Sequence, residues 1–261
     1  MRARIFQIDA FASRLFAGNP AAVMLLDAYP ADSILQALAA ENNLAETAFL
    51  VAAGADYRIR WFTPTVEVPL CGHATLAGAA AVLERLARGR DAVTFHSASG
   101  PLPVRRSGAG YAMSFPVRRC APAEPPDGLA EALGAAPVAT VWDGFNFLVR
   151  LASAQAVRAL SPDLAAIALM PCAGIIVTAR GEGGHDCVSR YFAPAKGIPE
   201  DPATGGAHCA LAPFWAGRLG KTELRALQAS PRGGEMICRL AGDRVELEGA
   251  CVFYFEGEAE W

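Results

Sequence analysis

The chain contains an internal repeat, and this repeat limits the fold more than any other feature of its 261 residues. The segment 60–64 (RWFTP) has a counterpart at 190–194 (RYFAP), 130 residues further along the chain. Each segment is followed by a run of small residues, CGHA at 71–74 and TGGA at 204–207, and then by an alanine-rich stretch. A strand, a turn and a helix that recur in the same order predict two similar lobes, each built around one such helix.

The pattern of apolar residues predicts an α+β protein. Alternating or short apolar runs predict strands along most of the chain. A helix is predicted at 73–88, and it is apolar on nearly every face, which is typical of a buried helix. A second helix is predicted at 206–218. The many predicted strands and the single central helix of each half favour antiparallel sheets over a βαβ arrangement.

A proline-rich segment divides the chain into the two predicted lobes. Residues 116–127 carry four prolines and two arginines, a composition typical of a linker. We therefore predict an N-terminal lobe at 1–116, completed by a C-terminal strand at 250–261, and a C-terminal lobe at 117–249. The active site is predicted in the cleft between the lobes.

The composition limits the partners of the chain. Hydrophobic residues make up 53% and charged residues 19%, and the formal net charge of -3 comes without a basic stripe, so neither nucleic acid nor a membrane surface is an expected partner. The longest apolar stretch, 74–83, is too short to span a bilayer, and no secretory signal is recognised. The seven cysteines are scattered, which predicts free thiols in a reducing cytoplasm. No nucleotide-binding loop and no metal-ligand spacing occur, so no cofactor and no metal are expected.

The two runs of small residues predict binding sites for a negatively charged group. Each run opens a buried helix, where the first backbone N–H groups lack intrahelical partners and the helix dipole attracts anions. Such sites suit a small carboxylate whose negative charge grows during the reaction, as in an enolate.

Four side chains near these runs are candidates for acid–base chemistry. Glu46 lies between apolar residues where a helix gives way to a strand, although an arbitrary glutamate there is more often solvated. His73 follows the first glycine, and helix-dipole proximity is expected to lower its pKa. Asp201 precedes the second run, and the alternative interpretation is that it only forms the turn before Pro202. Cys71 is either an activated thiolate at a helix start or a small core residue.

Several motifs together resemble the phenazine biosynthesis-like (PhzF-like) family. They are the segments NLAET at 43–47, FTP to CGHAT at 62–75, EDPATG at 200–205, DAF at 9–11 and GNP at 18–20. The resemblance implies the diaminopimelate epimerase fold, with two lobes that are each a curved antiparallel sheet, or half-barrel, around a central helix. It also implies a homodimeric isomerase that needs no cofactor and no metal.

The resemblance also implies roles for single residues. Glu46 matches the family's proton-shuttling glutamate, and His73 and Asp201 match its partner residues. The positions that match substrate-binding residues are Asn19, Gly72, Ala74, Thr204, Gly205 and Gly206.

Three positions depart from the relatives and leave alternatives open. The phenazine enzyme has a serine at the position of Gly206 and lacks a cysteine at the position of Cys71. Related racemases use two opposed cysteines, and Thr204 occupies the place of the second. We therefore predict an isomerase that moves a proton on a small carboxylate-bearing metabolite through Glu46. The alternatives are a racemase or epimerase with Cys71 as one base, and a catalytically silent binding protein; His208 and Cys209 are interpreted as packing residues.

Overall fold

The computed structural model describes residues 1–108 and 110–261, and these form two compact units. Unit 1 comprises Met1–Ser114 and Glu248–Trp261, and unit 2 comprises Phe115–Leu247. The seven cysteines are free thiols, as expected. In the part of the chain that the structure describes, no helix combines the length and the apolar character needed to cross a membrane.

The strands follow one another along the whole chain. They are β1 (Arg2–Ala10), β2 (Asn19–Leu26), β3 (Glu46–Ala53), β4 (Asp56–Phe62), β5 (Glu67–Val68), β6 (Ala92–Ser97), β7 (Gly100–Ser107), β8 (Gly110–Pro116), β9 (Ala121–Pro122), β10 (Ala139–Trp142), β11 (Asn146–Arg150), β12 (Gly174–Arg180), β13 (Cys187–Phe192), β14 (Glu223–Gln228), β15 (Gly234–Ala241), β16 (Arg244–Gly249) and β17 (Cys251–Glu260).

The helices fall between these strands. They are α1 (Asp32–Asn42), α2 (Gly72–Ala81), α3 (Leu129–Leu133), α4 (Ala154–Arg158), α5 (Leu164–Ala168) and α6 (Gly205–Leu219), with a π-helical turn at Val82–Leu86 and a 3₁₀ turn at Pro194–Lys196.

In unit 1 the sheet surrounds helix α2. Strand β1 pairs antiparallel with both β2 and β17, and β3 pairs antiparallel with β4. Helix α2 contacts β1, β2, β3, β6, β7 and β17. Its small side chains permit this close packing, since a Cβ at Gly78 would already touch the Phe95 ring at 3.4 Å. All of its residues from His73 to Ala81 are buried, which confirms the predicted buried helix. The predicted helix at 73–88 is wrong at its end, because the α-helix stops at Ala81 and a π-helical turn follows.

In unit 2 the corresponding central helix is α6, which contacts β14 and β15. It continues through Pro213, a residue that has no N–H to donate to the carbonyl of Cys209 one turn earlier. The backbone N–H of Arg118 donates to that carbonyl instead, at 3.0 Å. The freed carbonyl therefore keeps a partner inside the core.

The α+β class is confirmed, but the purely antiparallel sheet is wrong. Four strand pairs run parallel: β2 with β3, β4 with β6, β11 with β12 and β13 with β14. Parallel neighbours need a crossover connection. Helix α1 lies in the crossover from β2 to β3, α2 in that from β4 to β6, α4 and α5 in that from β11 to β12, and α6 in that from β13 to β14. The repeat thus consists of crossover units, which the sequence interpretation had set aside.

Candidate active site

One edge of the unit 1 sheet gathers the first candidate residues. Strands β2 and β3 begin at Asn19 and Glu46, and because these strands are parallel neighbours, their first residues lie at the same edge. Helix α2 begins with Gly72 and His73, and the His73 ring contacts both of the strand residues.

Both nitrogens of the His73 ring have polar neighbours. Its Nε2 lies 3.1 Å from Oε2 of Glu46. Its Nδ1 lies 3.2 Å from the amide nitrogen of Asn19 and 3.5 Å from the sulfur of Cys71. All four residues are buried, with exposed fractions between 0% for Asn19 and 9% for Glu46. The structure thus brings together four residues that the sequence analysis named separately.

The turn before Glu46 sets the position of its carboxylate. Helix α1 ends at Asn42, and Asn43 adopts a left-handed conformation with φ of 48°, so the chain reverses within a few residues. The Asn42 amide donates to the Thr47 hydroxyl at 3.1 Å, which ties the end of the helix to the start of β3. These contacts fix Glu46 at the first position of its strand.

The neighbours of His73 shift its pKa in the direction opposite to the expected one. Burial disfavours the imidazolium and is the largest influence, but electrostatic interactions and hydrogen bonds with Cys71 and Glu46 together outweigh it. The pKa of His73 is therefore raised well above its ordinary value. The expectation of a lowered pKa is wrong, because facing groups act at shorter range than the helix dipole. Burial raises the pKa of the Cys71 thiol, and the negative charge of Glu46 adds to that effect.

The start of α2 offers backbone donors beside these side chains. The N-cap residue, Cys71, has extended dihedral angles and makes no side-chain capping bond in the described chain. The first N–H groups of a helix have no partner within it. Gly72 and Ala74 belong to this first turn.

The second group of candidates lies in unit 2, before helix α6. Asp201 is buried, and its carboxylate accepts a hydrogen bond from the Thr204 hydroxyl. The side chain of Gln228 connects the same residues: its Oε1 accepts from the Thr204 N–H at 2.8 Å, and its Nε2 donates to the Asp201 carbonyl at 2.7 Å. This network fixes the turn that leads into the helix.

The first turn of α6 carries the two glycines. It begins at Gly205, and its N-cap residue, Thr204, makes no side-chain capping bond within the described residues. A Cβ at Gly206 would lie 4.0 Å from both terminal nitrogens of Arg118. That guanidinium rests on the Phe145 ring, 4.8 Å from its centroid. The position where the phenazine enzyme has serine therefore faces an arginine here.

Sequence reasoning missed Gln228 but assigned His208 correctly. Gln228 is fully buried at the end of β14, where Leu224 and Ala226 mark the inward-facing positions. A polar residue in an inward position of an alternating strand was the available signal. His208 and Cys209 are buried within α6, which confirms their interpretation as packing residues.

One group of side chains could hold a metal ion. The ligand atoms of Glu46, Cys71 and His73 all lie within 4.8 Å of one another. Glu46 is far from the other two in sequence, so ligand spacing along the chain does not reveal the group.

The chain belongs to the phenazine biosynthesis-like protein family. The family model with that description matches residues 8–257. The quoted motifs had predicted this membership, and the match confirms it.

Individual relatives cover nearly the full chain. An uncharacterized isomerase of Pseudomonas aeruginosa is 50% identical over 257 residues, which is 98% of both chains. The crystal structure of a phenazine biosynthesis protein of the PhzF family from Enterococcus faecalis has a TM-score of 0.96 and 38% identity, with 100% of both chains covered. A predicted epimerase from Pseudomonas aeruginosa has a TM-score of 0.75 and 26% identity, with 98% of this chain and 99% of that chain covered. The chain therefore shares its fold with PhzF-family and epimerase-like proteins.

Proposed function

We propose that the protein is an isomerase that moves a proton on a small carboxylate-bearing metabolite, with Glu46 as the residue that takes and returns the proton. The observation that carries this proposal is the buried contact of 3.1 Å between the Glu46 carboxylate and the His73 ring, at the first turn of α2. The isomerase names of the relatives support it.

The reaction proceeds in two proton transfers. Glu46 takes a proton from a carbon that a neighbouring carbonyl, enol or diene makes acidic, and the electron pair moves onto the substrate. The protonated Glu46 then returns this proton to a different atom of the substrate. General acid–base transfer of this kind contributes roughly 10²–10⁴-fold in rate.

His73 and the first turn of α2 stabilise the intermediate. The ring of His73 donates toward Glu46 and balances the negative charge that develops during the reaction. The N–H groups at Gly72 and Ala74 receive the carboxylate of the substrate, which a helix N-terminus favours. No group beyond the chain itself is needed for these steps, so the proposed enzyme uses neither cofactor nor metal.

Asp201 is proposed as a partner in the same reaction. Thr204 and Gln228 hold its carboxylate and its backbone, so the side chain has a defined orientation. Thr204, Gly205 and Gly206 are proposed to bind substrate at the start of α6. A partner contributes less than the base, so Asp201→Asn is expected to lower turnover by about one to two orders of magnitude.

Hydrogen exchange tests the proposal before the substrate is known. The protein is incubated in heavy water with a panel of small carboxylic acids that carry an acidic C–H bond. Nuclear magnetic resonance then detects both deuterium in the recovered acid and any isomer formed. We expect at least one acid to exchange hydrogen or isomerise. Glu46→Gln should abolish this reaction, and its thermal unfolding midpoint should change no more than that of a variant with a substitution on the protein surface. A fully active Glu46→Gln variant would refute the role of Glu46, and no reaction with any acid would favour a silent binding protein.

A racemase or epimerase with Cys71 as one base is the second candidate. The contact of 3.5 Å between the Cys71 sulfur and Nδ1 of His73 favours it, because a neighbouring imidazole can activate a thiol. Under the first proposal Cys71→Ser keeps most of the exchange activity, since serine fills nearly the same space. The second candidate would be favoured if Cys71→Ser lost all exchange activity and if substrate protected the wild-type thiol from alkylation.

A further inference from the structure

Cys71 is a buried thiol that the proposed proton transfer does not use, and it lies among groups that bind transition metals. The ligand atoms of Glu46, Cys71 and His73 lie within 4.8 Å of one another. A carboxylate, a thiol and an imidazole are the three ligand types found in protein zinc sites. This combination therefore calls for a test of its geometry against that of a zinc site.

The distance between the Cys71 sulfur and the His73 ring matches a zinc site. Cys71 Sγ lies 3.5 Å from His73 Nδ1. In a tetrahedral site, with Zn–S of about 2.3 Å and Zn–N of about 2.0–2.1 Å, the sulfur and nitrogen are about 3.6 Å apart. A zinc ion can therefore bridge these two atoms while the first turn of α2 keeps its backbone position.

Glu46 supports the same site from the other side of the ring. Its Oε2 lies 3.1 Å from Nε2, the nitrogen opposite to the one that faces Cys71. Metal-ligating histidines almost always donate their second N–H to a carboxylate, a carbonyl or water. With the proton on Nε2, the lone pair is on Nδ1, which also lies 3.2 Å from the Asn19 amide nitrogen, so a bound ion would replace the contact with Asn19. The carboxylate therefore orients the ring and is not itself the third ligand.

We propose that Cys71 Sγ and His73 Nδ1 form a binding site for a thiophilic divalent cation, foremost Zn²⁺, with Glu46 positioning the ring and water completing the coordination. The ion binds the thiolate and the neutral ring nitrogen, and the displaced protons go to solvent. Bound Zn²⁺ occupies His73, so it inhibits the isomerase; this last consequence alone rests on the proposed function.

Cobalt substitution tests the site without any turnover. The untagged 261-residue chain is freed of metal with a chelator and titrated with Co²⁺, whose bond to a thiolate gives a charge-transfer absorption in the near ultraviolet. We expect this absorption in the wild type and its loss on addition of Zn²⁺. Cys71→Ala should abolish it, and His73→Gln should weaken Co²⁺ binding at least tenfold. Cys209→Ala is the matched control, because it removes a buried thiol that bonds to the Gly205 carbonyl, and it should titrate like the wild type.

Further results decide each part of the proposal. If Cys71→Ala does not fold, Cys71→Ser keeps the volume without the sulfur and should equally lack the absorption. A wild type without the absorption, or a Cys71 variant that retains it, overturns the site. Glu46→Gln should keep the absorption and weaken Zn²⁺ binding by roughly 10–100-fold, and an unchanged affinity would overturn the positioning role. The absorption needs no substrate, so the metal site can be established even if no acid exchanges hydrogen. If the protein is an active isomerase and saturating Zn²⁺ does not inhibit it, only the predicted inhibition is overturned.

Discussion

Acidification below neutral pH is expected to destabilise the protein through His208. This residue is fully buried in α6, and its Nδ1 donates to the Thr204 carbonyl at 2.8 Å. Its Nε2 has no hydrogen-bond partner among the described residues. Burial lowers the pKa of His208 to about 4, and the bond to Thr204 only partly opposes this effect. The ring is therefore neutral in the folded protein at pH 7.

The sign and size of the effect follow from this pKa. The unfolded chain binds a proton near the ordinary value of 6.5, whereas the folded protein binds it only near pH 4. Between these values the unfolded state holds more protons, so the free energy of unfolding falls as the pH falls. At pH 5 the loss relative to neutral pH is about 2 kcal/mol, and below pH 4 it levels off near about 3 kcal/mol.

The measurement compares urea unfolding of the wild type and of His208→Asn between pH 7 and pH 5. Asparagine can keep the donor to Thr204 but has no ionisable ring, and its lost packing is the same at every pH. Tryptophan fluorescence reports the transition, and Trp215, which is buried in the same helix, contributes to it. We expect the stability advantage of the wild type over the variant to shrink by about 2 kcal/mol. His96→Gln, a change at an exposed histidine, is the control. Parallel pH curves for wild type and His208→Asn would refute the reasoning.

Further predictions concern packing, the unit 2 network, metal removal and assembly. Gly249→Ala places a Cβ 2.4 Å from the Phe11 ring and should lower the free energy of unfolding by about 1–3 kcal/mol. Gly217→Ala has open space around it in α6 and should raise the free energy of unfolding by about 0.5–1 kcal/mol, and thermal unfolding of both variants measures the difference. Gln228→Leu leaves the Thr204 N–H without its acceptor and should cost about 1–3 kcal/mol, which denaturant unfolding would measure, and an unchanged midpoint would contradict the network. Dialysis against a chelator should leave or raise exchange activity, and a loss that added metal restores would contradict a metal-free mechanism. Sedimentation should give twice the mass of the 261-residue chain, as predicted for a homodimer, and a single-chain mass would contradict this.

The fold could be predicted where the signal is local and repeated. Helix α2 is apolar on every face, so its burial follows from the sequence alone. The repeat also locates α6, because β4 ends at Phe62 and β13 at Phe192 before equivalent turns. Strand pairing lies beyond such signals. The helical period of α1 can be recognised, but the alternating pattern of β2 and β3 does not show whether these strands pair with each other or with other strands.

The sequence predicted which residues belong to the candidate site but not which of them contact one another. Motifs named Asn19, Glu46 and His73, but their separation along the chain gives no distance between side chains. The raised pKa of His73 shows the consequence: the helix start suggested a neutral ring, and the neighbouring carboxylate and sulfur reverse this. Gln228 belongs to no motif, and its role follows only from the hydrogen bonds that it makes.

The two central helices share a scaffold but carry different chemistry at their first turns. Both begin with a glycine after an extended N-cap residue and are buried along most of their length. The first turn of α2 holds a histidine between a carboxylate and a thiol, which are groups that exchange protons. At α6 the equivalent turn has glycine at 205 and 206, and its histidine, His208, is kept neutral inside the core. Repetition therefore supplied two similar helix starts, whereas the cluster of Glu46, Cys71 and His73 formed only beside α2 among the described residues. For this reason the proposed proton-transferring base is placed at α2.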